Sequence, residues 1–259
     1  MAADNGTVAT VDLTRIRAVA FDCYGTLIDF DERAFATAVH SLLEEHGINH
    51  VRGDAVWEKW MDSAREYAKH HGRDPDGRID GPEPSFDRFA EAWPHHFRHA
   101  FDATGVDTIG PDVAMSHLFA LLSAAPAYEE VSDVLPELRR AGFTVVVASN
   151  ADDAHLYPAL QNAGIDVDMV VTSESLRSYK PRRPFFDGLC NRLGMSREEI
   201  LYVGDSPYSD VRGARNAGLP VYWVRRYEDA EQQKYLQQDP DWTYPDLRGL
   251  CTILLGTGE

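Results

Sequence analysis

Ala18-Val19-Ala20-Phe21 runs directly into Asp22-Cys23-Tyr24-Gly25-Thr26-Leu27. Four apolar residues that end on a carboxylate and a glycine turn read as a strand buried on both faces, its carboxyl end opening onto polar chemistry. The pattern recurs along the chain. Phe143–Ala148 ends in Ser149-Asn150, and Val167–Val171 is followed by Tyr179-Lys180-Pro181. Ile200–Val203 ends in Gly204-Asp205-Ser206-Pro207-Tyr208-Ser209-Asp210, and Leu219–Val224 in Arg225-Arg226. These runs are nearly continuous rather than alternating, as in a parallel sheet covered by helices on both faces. Between them, Leu156, Leu160 and Ala163 share a helix face stopped by Gly164, and Phe186, Leu189, Cys190 and Leu193 repeat it before Gly194. Ser196 with Glu199 forms a capping-box signature. Strand, helix, strand, helix at this spacing predicts an α/β protein built on a doubly wound parallel sheet.

The interval after the first strand breaks the alternation. Four helical stripes follow one another with no convincing strand. The first is Phe35, Ala38, Val39, Leu42 and Leu43, ended by Gly47; the second is Val56, Trp57, Trp60, Met61, Ala64 and Ala68. Phe86, Phe89, Ala90, Trp93 and Phe97 make a third, with a kink expected at Pro94. Leu118, Leu121 and Leu122 belong to a fourth that Pro111 is placed to start. Such stripes are far more often bundle core than cofactor box. The expected organisation is a core of residues 13–33 and 129–259 with a helical segment, 34–128, inserted after the first strand. Gly72–Ser85 carries three Gly and three Pro, and is expected to be mobile and the first place cut by protease.

A chain of 259 residues suits one domain plus such an insertion. Its 25 Lys and Arg against 42 Asp and Glu give a net charge of −17, with the basic residues scattered among acids. That field repels polyphosphate, so neither nucleic acid nor an anionic membrane is an expected partner. Cys23, Cys190 and Cys251 form no disulfide framework or metal motif. No stretch reads as a signal peptide or approaches the roughly 20 apolar residues that span a bilayer. A soluble, cytoplasmic protein is expected.

Ligands of open α/β sheets bind beyond the carboxyl ends of the strands. Taken singly, the residues there have bland readings: Asp22 as a turn cap, Ser149-Asn150 as a helix N-cap, Lys180 as a loop lysine, Asp205 and Asp210 as caps. Together they are a constellation on one edge. Three crowded carboxylates repel unless a cation neutralises them, and oxygen ligands favour Mg²⁺. A carboxylate nucleophile, a metal, a lysine and a hydroxyl suit phosphoryl transfer through an aspartyl intermediate.

These four motifs, in this order, resemble the haloacid dehalogenase (HAD) superfamily from about Arg15 to Leu255, and the helical segment resembles its helical-bundle cap over a Rossmann-like core. The resemblance implies that Asp22 is the nucleophile and that Lys180 pairs with it and with the substrate anion. From the Ser149-Asn150 motif, Ser149 would hydrogen-bond a transferring oxygen. Mg²⁺ would be held by Asp22, Asp205 and the Tyr24 carbonyl, with Asp210 in support, and the substrate would be a small anionic molecule.

One position departs from the family's phosphatases, which usually carry a second Asp two residues after the nucleophile. Here it is Tyr24, the residue found in the family's L-2-haloacid dehalogenases. A phenol with pKa about 10 donates a proton but is a poor base at neutral pH. Halide leaves without a proton, so Tyr24 suits dehalogenation. Other positions oppose that reading. The dehalogenases resembled use no metal, have Ser and Asn where Gly204-Asp205 stands, and carry a Tyr where Phe186 stands. Their early-cap Arg has no counterpart beside Trp57-Glu58-Lys59, and Arg65, the nearest, reads as surface. The metal loop is weighted more. The leading expectation is a Mg²⁺-dependent phosphatase of a small metabolite, with a carbon–halogen hydrolase as first alternative and a catalytically weak binding protein as second. His70-His71 and His95-His96 point to different helix faces and read as solvated surface, and Cys23 as a packed thiol.

Overall fold

The computed structural model describes residues 11–30, 32–70, 85–227, 236 and 239–256. Gly72–Pro84, nearly all of the loop expected to be mobile, lies outside them. Six parallel strands form one sheet in the order β3-β2-β1-β4-β5-β6: β1 (Ala18–Phe21), β2 (Thr144–Ser149), β3 (Met169–Thr172), β4 (Ile200–Gly204), β5 (Val221–Val224) and β6 (Trp242–Tyr244). β1 is central, with Ala18 beside Thr144 of β2 on one side and Ile200 of β4 on the other. The chain winds outward through β2 and β3 one way and through β4, β5 and β6 the other. The switch point therefore lies between β1 and β4, where an open α/β sheet forms its crevice.

Five strands stand where apolar runs predicted them, though β3 and β5 start two residues later than the runs. The sixth is an addition. Trp242–Tyr244 pairs with β5 at Tyr222 and is half-buried, exposed, half-buried, so no continuous apolar run announces it.

Both faces of the sheet are covered, which is why every residue of β1 and β4 is buried. Ala18, Ala20, Val146 and Tyr202 face Phe185, Phe186 and Leu189 of α8 (Arg183–Leu193) and Ala214 of α9 (Gly213–Ala217). Val19, Phe21, Val145 and Leu201 face the opposite layer, with Val134 and Leu138 of α5 (Val131–Arg140). α6 (Asp153–Asn162) and α7 (Ser173–Leu176) follow β2 and β3, and α10 (Arg248–Leu255) closes the described chain.

The apolar layer on the α5 side continues into α1 (Glu32–Glu45), α2 (Gly53–His70), α3 (Phe89–Thr104) and α4 (Pro111–Ala124). Leu42 and Leu43, Val56 and Trp60, Trp93 and Phe97, and Leu118 and Leu122 are all buried, as their spacing predicted. Two details differ from expectation. α3 begins at Phe89, so Phe86 lies before it and stacks on Tyr179 at 5.0 Å instead. His96 is buried at 3% exposure, not solvated, while its neighbour His95 is exposed. Adjacent helix positions point about 100° apart, and His96 falls on the Trp93–Phe97 stripe. Ser63 Oγ meets its Nδ1 at 3.0 Å, satisfying it there. Among the described residues no helix is long and apolar enough to cross a membrane.

Candidate active site

After β1 the chain curls on the Cys23 carbonyl, which accepts from Leu27 N at 2.7 Å and Ile28 N at 2.9 Å. The curl needs Gly25 at φ 83°, a left-handed conformation, and a Cβ there would overlap the Asp205 carboxylate. Thr26 Oγ1 donates to Asp205 Oδ1 at 2.8 Å, and Trp223 Nε1 to the Asp205 carbonyl at 2.9 Å, so Asp205 is gripped from the turn after β1 and from β5. Arg226 braces the same loop, donating to the carbonyls of Gly25 (3.0 Å) and Thr26 (2.5 Å) and pairing with buried Glu130 at 2.9 Å. Arg226 is thus a loop brace, a role no local motif encodes.

Lys180 is the hub. Its Nζ lies 2.7 Å from Asp22 Oδ1 and 2.8 Å from Asp210 Oδ1, with the side chain 1% exposed. Ser149 Oγ donates to Asp22 Oδ1 at 2.9 Å. Asn150 works on the backbone of Lys180, accepting from its N–H at 2.8 Å and donating to its carbonyl at 3.0 Å. Asp210 is fully buried and accepts from Tyr202 Oη at 3.2 Å and Ser206 N at 3.0 Å; a Cβ on Gly204 would overlap it. The structure thus gathers all seven sequence-predicted site residues.

The charges do not balance. Carboxylate oxygens of Asp22, Asp205 and Asp210 lie within 4.8 Å of one another, against one lysine. Burial alone would lower the Lys180 pKa, but Asp210 and Asp22 outweigh it and hold the ammonium well above its ordinary value. Burial first, then the neighbouring Asp210 and Asp22, push Asp205 well above the carboxylate range. Asp210 is raised to about 6 by burial, against the pull of Lys180. An all-oxygen donor set with surplus negative charge fits a hard divalent cation.

Asp22, Ser149, Asn150, Lys180 and Asp205 floor a cavity of ≈ 370 Å³, with Asp210 buried behind them. Its opposite wall is Phe30, Phe35, Phe89, Trp93, Leu122 and His155. Tyr24 stands between the two. Its ring lies 6.3 Å from that of Phe30 and 6.2 Å from that of His155, its hydroxyl is buried without a hydrogen-bond partner, and burial raises its pKa far above a phenol's usual value. The hydroxyl therefore stays protonated. His155, on α6, stacks on Phe119 at 4.7 Å, and burial lowers its pKa to about 4, so the imidazole is neutral. The sequence reading missed His155, because one histidine in an amphipathic helix carries no signal of its own.

The helical segment is tied to the catalytic loops. The buried Asp152 carboxylate accepts from Phe89 N at 3.0 Å and Ala90 N at 2.8 Å, capping α3 across the fold. Tyr179 Oη donates to the Asp87 carbonyl at 2.8 Å. Arg65 is exposed and pairs with Asp62, away from the cavity, and Cys23 is buried with its thiol pKa raised by burial and then by Asp22. Both agree with the sequence reading.

The family model for haloacid dehalogenase-like hydrolases matches residues 16–218. The chain belongs to that family. This HAD hydrolase is 27% identical over 246 residues to haloacetate dehalogenase H-2 of Moraxella sp. (strain B), covering 93% of this chain and 99% of the relative. It is also 27% identical over 227 residues to the glyceraldehyde 3-phosphate phosphatase of Methanopyrus kandleri, covering 83% and 88%. Its fold matches that of the HAD-hydrolase YfnB from Bacillus subtilis bound to magnesium, with a TM-score of 0.72 at 20% identity over 93% of this chain and 99% of that one. Dehalogenases and phosphatases are both among its relatives, so the family alone does not select the bond that is broken.

Proposed function

We propose that this HAD hydrolase is a Mg²⁺-dependent phosphomonoesterase acting on a small metabolite through Asp22. The observation that carries the reading is the trio of carboxylates within 4.8 Å sharing a single lysine. One lysine cannot neutralise all three acids, and a second cation would hold half-buried Asp205 ionised where burial, Asp210 and Asp22 otherwise push its pKa well up. Asp22, Asp205 and the Tyr24 carbonyl would hold the ion, with Asp210 in support, and when bound it supplies positive charge against the transferring phosphoryl oxygens.

The chain's own residues do the rest. Ser149 and Lys180 both bind Asp22 Oδ1, which leaves Oδ2 to attack phosphorus as the ester P–O bond breaks, the departing alkoxide taking its proton from solvent water. Lys180 also offers its charge to the substrate's oxygens, and Asn150 fixes the backbone from which it reaches. Water then attacks the aspartyl phosphate, releasing inorganic phosphate and restoring Asp22. Tyr24 stands where a carboxylate base would serve and stays protonated, so this second step is the slow one. The three buried free cysteines suit a reducing compartment, in keeping with a cytoplasmic enzyme.

A second reading, carbon–halogen hydrolysis, is favoured by one feature: a protonated phenol in aromatic surroundings at position 24. A parallel screen for phosphate and halide release, each with Mg²⁺ and with chelator, separates the two. Mg²⁺-dependent phosphate release that disappears in Asp22→Asn is expected. Halide release indifferent to chelator, with no phosphate released, would establish the second reading. Near-zero turnover on a broad panel of both substrate types, with ligand affinity retained, would make the protein a binding module.

A further inference from the structure

We infer that the part of the substrate beyond its phosphate is a flat apolar group, not a sugar or other polyol. The inference rests on the phosphatase reading and concerns the wall of the cavity opposite Asp22. Phe30, Phe35, Phe89 and Leu122 carry no hydrogen-bonding side-chain atom and together face the catalytic floor. They arrive from four places: the loop after β1, then α1, α3 and α4. A single exposed aromatic needs no explanation, but convergence of four elements on one apolar surface does.

The wall is also braced. Phe35 meets Trp93 edge to face at 5.6 Å and stacks on Trp57 at 5.0 Å, while Phe89 stacks on Trp93 at 4.8 Å. Each ring is held by another, so the surface is preformed and does not rearrange to expose polar atoms. Polar side chains of the cavity, among them Ser206, Ser209, Arg225 and Tyr227, lie outside this group of four. Tyr24 Oη and His155 Nδ1 are themselves enclosed, without partners. The Arg226 guanidinium is committed to two loop carbonyls and Glu130. A sugar placed against these four side chains would lose water from its hydroxyls and meet no hydrogen-bonding atom on them, whereas a ring would stack on rings. One hydroxyl presented to an apolar pocket costs about 10²-fold in kcat/KM.

The test compares three primary alkyl phosphates, which match the leaving group: 2-phenylethyl phosphate, glycerol 1-phosphate and glucose 6-phosphate, each with Mg²⁺. The expected result is kcat/KM about 10²-fold higher for the phenylethyl ester. Calorimetry on the Mg²⁺-loaded protein, with 2-phenylethylphosphonate and methylphosphonate, provides a readout independent of turnover. The first should bind at least about tenfold more tightly, a ratio that shrinks in Phe35→Ala while methylphosphonate affinity holds. Should Phe35→Ala fail to fold, the wild-type ratio alone decides. Equal or better use of the two polyol esters, or equal binding of the two phosphonates, would overturn the inference and leave the phosphatase reading intact. Phosphate release from none of the esters would remove the phosphatase reading and the inference with it.

Discussion

Replacing His155 by Phe should make the protein less sensitive to acid without weakening it at neutral pH. In the fold the imidazole pKa is lowered to about 4 by burial, the charge of Asp153 opposing that only in part. In the unfolded chain the value returns to about 6.5. Between those values the unfolded state binds a proton that the folded state refuses, so stability falls as pH falls. From pH 7 to pH 5 such a shift removes about 2 kcal/mol. His96, likewise lowered to about 4 by burial, adds a similar loss, so the pair accounts for about 4 kcal/mol of a typical stability of about 5–15. His155 Nδ1 has no partner and the ring is stacked on Phe119, so a phenyl ring loses no hydrogen bond there and keeps the stacking. Urea unfolding of both proteins at pH 7, 6 and 5 in chelator keeps the titration of the acidic cluster common to the two. The variant's loss between pH 7 and pH 5 should be smaller by about 2 kcal/mol. An unchanged pH slope, or a loss above about 1 kcal/mol at pH 7, would show that the imidazole is charged or hydrogen-bonded in the fold.

Three further outcomes follow from the geometry. Asp152→Ala removes both acceptors capping α3 and should cost about 1–2 kcal/mol in urea unfolding, with Asp152→Asn recovering part. Gly25→Ala puts a Cβ against the Asp205 carboxylate at a left-handed φ, so Mg²⁺ binding measured by calorimetry should be lost while the circular dichroism spectrum is kept. Rapid-quench kinetics should show a burst of alcohol followed by slow phosphate release, and Tyr24→Asp should speed the slow phase by up to about 10²–10⁴-fold. A linear time course with a slower variant would instead favour carbon–halogen cleavage.

Much of this was legible in the sequence, for a physical reason. A strand buried on both faces must be written as an uninterrupted apolar run, and the residue that ends it must lie at the sheet's edge. That logic located Asp22, Ser149-Asn150 and Asp205 without any contact information. What escaped depends on contacts between distant positions. β6 is three residues long and half exposed, so its pairing with β5 leaves no pattern of its own. Asp152 looks like an ordinary helix N-cap until α3 is seen to bring its own N–H groups to it. A pair of adjacent histidines hides which of them shares a face with Trp93, so buried His96 reads as surface in the sequence. Asn150 stands beside Ser149 in its motif, and its hold on the backbone of Lys180 depends on a loop 30 residues further on.

The bracing of the nucleophile loop by Arg226 has a consequence for the order in which a growing chain becomes an enzyme. Asp22 emerges early, yet β1 takes its place between β2 and β4, and the guanidinium that gathers the Gly25 and Thr26 carbonyls is 200 residues further along than Thr26. The helices α1 to α3 pack largely on sequence neighbours, whereas the loop carrying Asp22 waits for closures some 200 residues apart along the chain. A chain broken off after β5 would contain all four motifs and still lack the cation that shapes the first of them. Synthesis thus delivers the reactive carboxylate at the start and its working geometry near the end, so fragments released by premature termination carry the chemistry's letters but do not perform it.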